Sequence, residues 1–169
     1  FPSLFQGGIT FLDNTLVYLF DKTPRRGPLF FSWDVTFRCN AVCSFCSTHE
    51  LDKALPRDLT TDEGLNLIRQ LGEAKVWHLS LTGGEPLLRK DLTILIQEAK
   101  KHHLIVNVNT NGFLLSKYAE ALVKSGVDSI TISVDSDIEE VHNKNRAIPG
   151  LVKAIFKGID KIKGFRQGN

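Results

Sequence analysis

From residue 28 onward, short apolar runs alternate with stretches in which apolar residues recur at helical spacing. The apolar runs, rich in Val, Ile, Leu and Phe, predict strands at residues 29–35, 76–81, 104–109 and 129–134. Each predicted strand is followed by an amphipathic stretch, an alternation typical of parallel α/β architecture. The pattern therefore predicts four β/α units.

Local signals place the helices between these strands. Thr60 and Glu63 form a capping-box pattern ahead of the first helix, and a third helix is expected over residues 116–126. The last helix follows Pro149. Its apolar residues share one face: Leu151, Ile155, Ile159 and Ile162.

The 169-residue chain is expected to form one core domain with an N-terminal extension. Residues 1–27 are assigned to the extension and a linker, and residues 28–169 to the core domain. With 42% hydrophobic residues, the chain can bury one sizeable core. It contains no methionine and stops where a fifth strand is expected, so we expect it to be the N-terminal part of a barrel, truncated at its C-terminus.

Neither a membrane span nor a nucleic-acid site is expected. The apolar run at residues 9–20 is interrupted by Asp13 and Asn14 and is shorter than the roughly 20 residues that a spanning helix needs. The chain has 21 basic and 19 acidic residues, a formal charge of +2. This charge is too small to indicate a nucleic-acid footprint.

The three cysteines, Cys39, Cys43 and Cys46, lie in the run CNAVCSFC directly after the first predicted strand. An odd number in one tight cluster cannot form a disulfide framework, and thiolates that hold a metal group need a reducing compartment, so a cytoplasmic location is expected. Three thiolates are one short of a closed zinc or iron–sulfur shell. A [4Fe–4S] cluster on these residues would leave one iron open to a small molecule.

Two other interpretations of the cysteines stay open on spacing alone. His49, three residues after Cys46, would complete a Cys₃His zinc site. An iron–sulfur electron carrier would need a fourth protein ligand, for which His49 or a nearby acidic residue is the candidate.

Polar motifs follow the other three predicted strands. The second strand is followed by Gly83, Gly84, Glu85 and Pro86, and the third by Thr110, Asn111 and Gly112. Strand alternation places Ser133 and Asp135 of the fourth on one face. Because the carboxyl ends of barrel strands carry the active site, these motifs are expected to meet the cysteines at one cavity.

The CxxxCxxC spacing, with Phe45 before the last cysteine and the GGEP sequence after the second strand, resembles the radical S-adenosylmethionine (radical SAM) superfamily. The resemblance covers residues 28–162 and implies a partial (β/α)₆ TIM-like barrel, of which about four β/α units are present. It implies an enzyme in which a [4Fe–4S] cluster reductively cleaves S-adenosylmethionine to a 5′-deoxyadenosyl radical, which abstracts hydrogen from an unidentified substrate. The motif combination is most similar to the branch containing molybdenum-cofactor cyclisation and SPASM-type enzymes.

The resemblance also implies roles for individual residues. The three cysteines would hold the cluster, while Phe45 would pack beside the adenine of S-adenosylmethionine. The GGEP loop would bind the methionine amino group, although the Glu85 carboxylate could instead brace the loop. The resemblance further implies that Asn111, Ser133, Asp135 and Arg146 contribute to the cofactor pocket. Two alternatives stay open: Asn111 could belong to a plain Asn-Gly turn, and Arg146 could be a solvated surface residue.

The family pattern is incomplete after the fourth strand. Where relatives carry His-Asp-x-x-Arg-Gly, this chain has His142 and Arg146 but Asn143 and Ala147 in place of the aspartate and glycine. Trp77 and His78 are expected to pack in the core, although one of them could reach a substrate. Because sulfonium reduction requires a low cluster potential, a flavodoxin or ferredoxin-like donor is implied.

Overall fold

The computed structural model describes residues 2–20, 26–48 and 57–167. Within these ranges the elements are, in order, α1 (Pro2–Phe20), β1 (Phe30–Thr36), α2 (Thr61–Glu73), β2 (His78–Gly83), a 3₁₀ turn (Pro86–Leu88), α3 (Leu92–Lys101), β3 (Ile105–Thr110), α4 (Leu115–Ser125), β4 (Ser129–Ile132), α5 (Glu139–Asn145) and α6 (Leu151–Gln167). The four predicted β/α units are confirmed.

The four strands form one parallel sheet in the order β1-β2-β3-β4. Trp33 of β1 lies opposite Leu81 of β2, and Leu81 lies opposite Val108 of β3. Parallel neighbours require a crossover between them, and α2, α3 and α4 supply it. The carboxyl ends of all four strands therefore lie along one edge of the sheet.

The hydrophobic core lies between the sheet and these three crossover helices. Val35, Leu79 and Val106 project from the sheet into this layer and are at most 1% exposed. They belong to one cluster with the fully buried Ile68 of α2 and Leu95 of α3. Burial of one face of each strand fixes its register, because a one-residue slip would turn these side chains outward.

The helix ends follow the expected local chemistry. Thr60 and Glu63 form the predicted capping box: the Thr60 backbone N–H donates to the Glu63 carboxylate at 2.8 Å, and the Glu63 N–H donates to the Thr60 hydroxyl at 3.3 Å. Gly126 ends α4 with φ +84°, a left-handed conformation that favours glycine.

Two strand bounds differ from the sequence expectation because the hydrogen bonds between the strands begin later or end earlier than the apolar runs do. The β2 ladder starts at His78 because the Val76 N–H still bonds to Leu71 O of α2. β4 ends at Ile132, and the Ser133 N–H donates the last bond to Thr110 O, where β3 also ends. Ser133 and Asp135 therefore lie in a loop, and the expected strand alternation of this pair is wrong.

Helix α1 packs against the end of the sheet opposite to the strand carboxyl ends. Its Thr10 hydroxyl donates to Lys75 O at 3.1 Å, and a Cβ added at Gly7 would lie 2.6 Å from the Trp77 ring. Phe30 meets Trp77 edge to face, with ring centroids 5.5 Å apart. No helix in the described ranges is long and apolar enough to cross a membrane.

Candidate cofactor site

The loop after β1 carries the three cysteines to a cavity at the carboxyl ends of the strands. Cys39, Cys43 and Cys46 all line this cavity, which opens to solvent. The other lining residues are Ala41, Phe45, Thr48, Thr82, Gly83, Gly84, Asn109, Thr110, Asn111, Ser133 and Arg146. The structure thus brings the cysteine loop together with the ends of β2, β3 and β4.

Hydrogen bonds from three other segments fix the cysteine loop. The Gly84 N–H donates to Thr36 O at 2.8 Å and the Glu85 N–H to Arg38 O at 2.9 Å. The Asn111 side-chain amide donates to Asn40 Oδ1 at 2.9 Å. On the far side, the Ser44 N–H donates to Asn145 O at 3.2 Å. The loop is therefore tied to the loops after β2 and β3 and to the end of α5.

The two glycines permit this close approach of backbones. Gly83 has φ +120°, and a Cβ there would collide with Thr36 O. A Cβ on Gly84 would collide with Arg38 O and lie 2.7 Å from Phe37 O. Both glycines line the cavity, so the same lack of a side chain that admits the cysteine loop leaves backbone accessible to a ligand.

Glu85 lies behind the cavity wall. Its side chain is fully buried, and its carboxylate accepts hydrogen bonds from the Thr110 hydroxyl at 2.7 Å, the Asn111 N–H at 2.8 Å and the Leu87 N–H at 3.1 Å. Burial raises the pKa of the Glu85 carboxyl. Glu85 therefore braces the loop, the second of its two expected roles, and neither it nor the buried Pro86 is among the lining residues.

The three thiols differ in their readiness to ionise. Burial raises the pKa of Cys39 and of Cys43, although the Arg146 guanidinium acts in the opposite direction on Cys43. The Thr48 hydroxyl lies 2.9 Å from the Cys46 sulfur, and this hydrogen bond lowers the pKa of Cys46. Because the thiolate is the metal ligand, the surroundings of Cys46 favour its ligating form more than those of Cys39 and Cys43 do.

Arg146, at the end of α5, joins the cysteine loop to the loop after β4. Its guanidinium donates two hydrogen bonds to the Asp135 carboxylate, one of them 2.7 Å long, and lies 5.2 Å from the centroid of the Phe45 ring. The ion pair holds the pKa of Asp135 below its usual range. With 14% of its side chain exposed, Arg146 is not a solvated surface arginine.

His142 packs beneath the Asp135–Arg146 ion pair and contacts the Asp135 backbone. Its side chain is fully buried, and Nδ1 accepts a hydrogen bond from the Asp135 N–H at 3.3 Å. Neither His142 nor Asp135 lines the cavity. Asp135, expected at the cofactor, is thus placed behind it as the partner of Arg146.

Several lining residues were not expected from the sequence. Thr48, Thr82 and Asn109 line the cavity. The sequence contains a signal for Thr82 and Asn109: each is a polar residue on an otherwise largely apolar strand, where alternation places it on the face opposite the core. By contrast, Trp77 and His78 lie at the opposite end of β2, beside Phe30, away from the cavity.

The donor set fits an iron–sulfur cluster with an open iron. Three thiols line one cavity, and its other lining residues within the described ranges include no histidine, aspartate or glutamate. In the described part of the chain, no three cysteine, histidine or acidic side chains are close enough to hold a single metal ion. His49, the expected fourth ligand of the zinc alternative, lies outside the described residues.

Comparison with known proteins identifies the family. Residues 33–167 match the radical SAM superfamily. The chain belongs to this superfamily. Radical SAM enzymes use a [4Fe–4S] cluster and S-adenosylmethionine, the two cofactors implied by the cysteine and GGEP motifs.

Two curated relatives are named as cyclases. A probable GTP 3′,8-cyclase of Methanococcus maripaludis is 31% identical over 132 residues, covering 78% of this chain and 44% of the relative. The GTP 3′,8-cyclase of Limosilactobacillus fermentum is 35% identical over 140 residues, covering 76% and 42%. The chain therefore spans less than half the length of these relatives. Their names agree with the branch expected from the motifs.

A solved radical SAM structure shares the fold. Streptococcus suis SuiB bound to its precursor peptide SuiA superposes with a TM-score of 0.67 at 19% identity, covering 90% of this chain and 33% of that one. This likeness supports the assignment of the four β/α units to a partial TIM-like barrel.

Proposed function

We propose that this chain is the cofactor-binding core of a radical SAM enzyme. The observation that carries the proposal is that three thiols line the cavity that Gly83 and Gly84 also line, with no histidine or carboxylate among the lining residues that the structure describes. Cys39, Cys43 and Cys46 would each hold one iron of the cluster. The fourth iron would stay open for S-adenosylmethionine.

The cavity residues prepare the site for these groups. When bound, the reduced cluster supplies the electron that cleaves S-adenosylmethionine to methionine and a 5′-deoxyadenosyl radical able to abstract hydrogen from a substrate. Gly83 and Gly84 admit the ligand close to backbone, and Ser133 and Asn111 line the cavity at the ends of two other strands. Phe45, held by Arg146, presents an aromatic face next to Cys46.

The reductant and location follow from the same chemistry. Iron–sulfur potentials span about −700 to +450 mV, and sulfonium reduction needs the low end, so we propose a flavodoxin or ferredoxin-like donor. Three free thiols reserved for a metal group require a reducing compartment, which supports a cytoplasmic location.

Anaerobic cluster reconstitution followed by electron paramagnetic resonance tests the proposal. The reduced protein should show a [4Fe–4S] signal that changes on addition of S-adenosylmethionine, and reductant should yield 5′-deoxyadenosine. Replacing Cys39, Cys43 or Cys46 with alanine should remove iron and 5′-deoxyadenosine together. A signal unchanged by saturating cofactor would favour an electron carrier instead.

The zinc alternative is tested in the same protein. His49→Ala should leave iron content and the resonance signal unchanged if the cluster has only three protein ligands. Zinc bound as purified, and lost in His49→Ala, would establish the Cys₃His site in place of the cluster.

A further inference from the structure

The face of the sheet opposite the hydrophobic core is polar in two consecutive rows. Paired neighbours across the four strands form the lower row, which consists of Ser32, Ser80, Asn107 and Ser129. Two residues further along each strand is the upper row, which consists of Asp34, Thr82, Asn109 and Thr131. We call these eight residues the polar face.

Such a face departs from the usual barrel interior. Parallel strands are normally apolar on both faces, and bulky branched side chains usually fill a TIM barrel. Here every second residue is a hydroxyl, amide or carboxylate, while the intervening residues supply the core. Polar groups at positions that normally pack a core need partners, which points to a wet, ligand-accessible surface.

The β3–β4 half of the polar face is already organised by internal hydrogen bonds. Asn107 Oδ1 accepts from the Ser129 hydroxyl at 2.8 Å and the Thr131 hydroxyl at 3.1 Å. The Asn107 amide donates to Asn109 Oδ1 at 2.7 Å, and the Asn109 amide donates to the Ser80 hydroxyl at 3.1 Å. These bonds fix the direction in which the two amides present their remaining donors and acceptors.

In the β1–β2 half, only Ser80 has a side-chain hydrogen bond within the described part of the chain. Ser32, Asp34 and Thr82 have no side-chain hydrogen bond or ion pair to any residue that the structure describes. Ser32 and Asp34 are exposed, and Thr82 is half-buried. The free hydrogen-bonding capacity of the face is therefore concentrated beside the organised half.

The polar face is continuous with the cofactor cavity. Thr82 and Asn109 of its upper row also line the cavity that holds the three thiols. A ligand lying on the face would therefore be adjacent to whatever occupies the cavity. Radical abstraction requires that adjacency, because reacting atoms must lie within about 3–3.5 Å of each other.

The charge of the face restricts the ligand. Asp34 is its only ionisable residue, and none of the eight positions holds lysine or arginine. His78, facing the same way one row below, adds little positive charge at neutral pH because burial lowers its pKa. Arg146, the cationic group that lines the cavity, is already paired with Asp135.

We propose that the polar face contacts the substrate and recognises a hydroxyl- or amide-rich group that is uncharged or positively charged, not a phosphorylated one. Hydroxyl and amide groups match the free capacity of Ser32 and Thr82, and an amine or hydroxyl matches Asp34. The proposal rests on the proposed function only in calling this ligand a substrate. It separates the chain from relatives named for GTP, since this face offers no cation to a triphosphate.

Three matched sugars test the charge preference directly. Glucosamine, glucose and glucose 6-phosphate share one ring and differ in charge. They would be titrated into the ¹⁵N-labelled chain at about pH 6, where the amine is protonated. The side-chain amide signals of Asn107 and Asn109 report binding at the face. Both glucose and glucosamine should shift these signals at lower concentration than glucose 6-phosphate.

Asp34→Asn and a matched control locate the effect. Glucosamine should bind about fivefold more tightly than glucose, the factor for two unit charges 4 Å apart in water, and Asp34→Asn should remove this preference. Asp62→Asn, the same change at an exposed position of α2, should leave it intact. Both positions are exposed, so neither variant threatens folding.

Two results would overturn the proposal. One is tighter or equal binding of glucose 6-phosphate relative to glucose. The other is the absence of any amide shift with all three sugars up to about 50 mM, a concentration well above millimolar dissociation constants. Because the titration needs neither cluster nor S-adenosylmethionine, its failure is distinct from a failure to form 5′-deoxyadenosine.

Discussion

Glu85 connects the loops after β2 and β3 through one buried carboxylate. It accepts hydrogen bonds from both loops, and its own backbone N–H bonds to the start of the cysteine loop. A single residue thus couples the GGEP and TNG segments to the position of the cysteines. Its removal should affect stability and cluster loading together.

We predict that Glu85→Ala lowers the free energy of unfolding by about 2–4 kcal/mol, because it leaves buried N–H groups of Asn111 and Leu87 without an acceptor. Denaturant unfolding at neutral pH measures the loss. Glu73→Ala, at the exposed end of α2, should change stability by less than about 0.5 kcal/mol. Equal effects of the two substitutions would contradict the bracing role.

The dependence of stability on pH provides a second prediction for Glu85. Burial raises the native pKa of Glu85 above its usual value of 4.5, so the native state binds this proton more tightly than the unfolded state. The stability of the parent relative to Glu85→Gln should therefore increase as pH falls from the raised pKa toward 4.5, and stay constant below it. A relative stability that decreases over this window would show that the hydrogen bonds outweigh burial.

At the residue scale, the sequence predicted well which residues lie at the site. It predicted less well which atoms each side chain contacts there. The cysteines, Gly83, Gly84, Asn111, Ser133 and Arg146 all line the cavity. The role of Glu85 depended on whether its carboxylate faced the cavity or the loop behind it. Asp135 was misplaced because β4 ends two residues earlier than its apolar pattern suggests.

At the scale of elements, apolar periodicity and capping chemistry were sufficient for the four β/α units. The strand ends were less predictable, because a strand continues only as far as its neighbour offers hydrogen bonds. β4 stops where β3 turns into the TNG loop, with Gly112 at φ +83°. The apolar pattern of β4 alone does not show where its neighbour β3 ends, so it could not predict the end of β4.

The contact between the GGEP loop and the cysteine loop is predicted to tolerate no side chain at residue 84. Gly84→Ala would drive a Cβ into Arg38 O, so the cysteine loop must shift. We expect a lower melting temperature and a reduced iron content per chain after reconstitution. Melting curves and iron analysis measure both.

Gly164 provides the matched control for this substitution. It lies within α6 with no atom within 4 Å of an added Cβ, so Gly164→Ala should stabilise the protein by about 0.5–1 kcal/mol through helix propensity. Its iron content should equal that of the parent. Normal iron loading in Gly84→Ala would show that the loop can move without disturbing the thiols.

At the scale of the whole molecule, α1 and the cofactor cavity lie at opposite ends of the sheet. The contacts of α1 are with Lys75 and Trp77, ahead of β2, whereas the cavity begins at Thr82 near the end of that strand. The boundary expected between residues 1–27 and the core domain stays a prediction, because α1 also contacts the core at Lys75 and Trp77. The separation implies that stability and cofactor binding can be changed independently.

We predict that a chain starting at residue 28 still folds and binds iron like the parent, but is less stable by about 1–3 kcal/mol. The loss arises because the Trp77 ring becomes exposed where Gly7 now covers it, and burial of a large apolar side chain contributes on this order. Denaturant unfolding and iron content per chain are the two measurements. Tyr18→Ser, at an 87% exposed position of α1, should alter neither. A shortened chain that fails to fold would place residues 1–27 within the core domain, and one that folds but loses iron would make α1 part of the cofactor site.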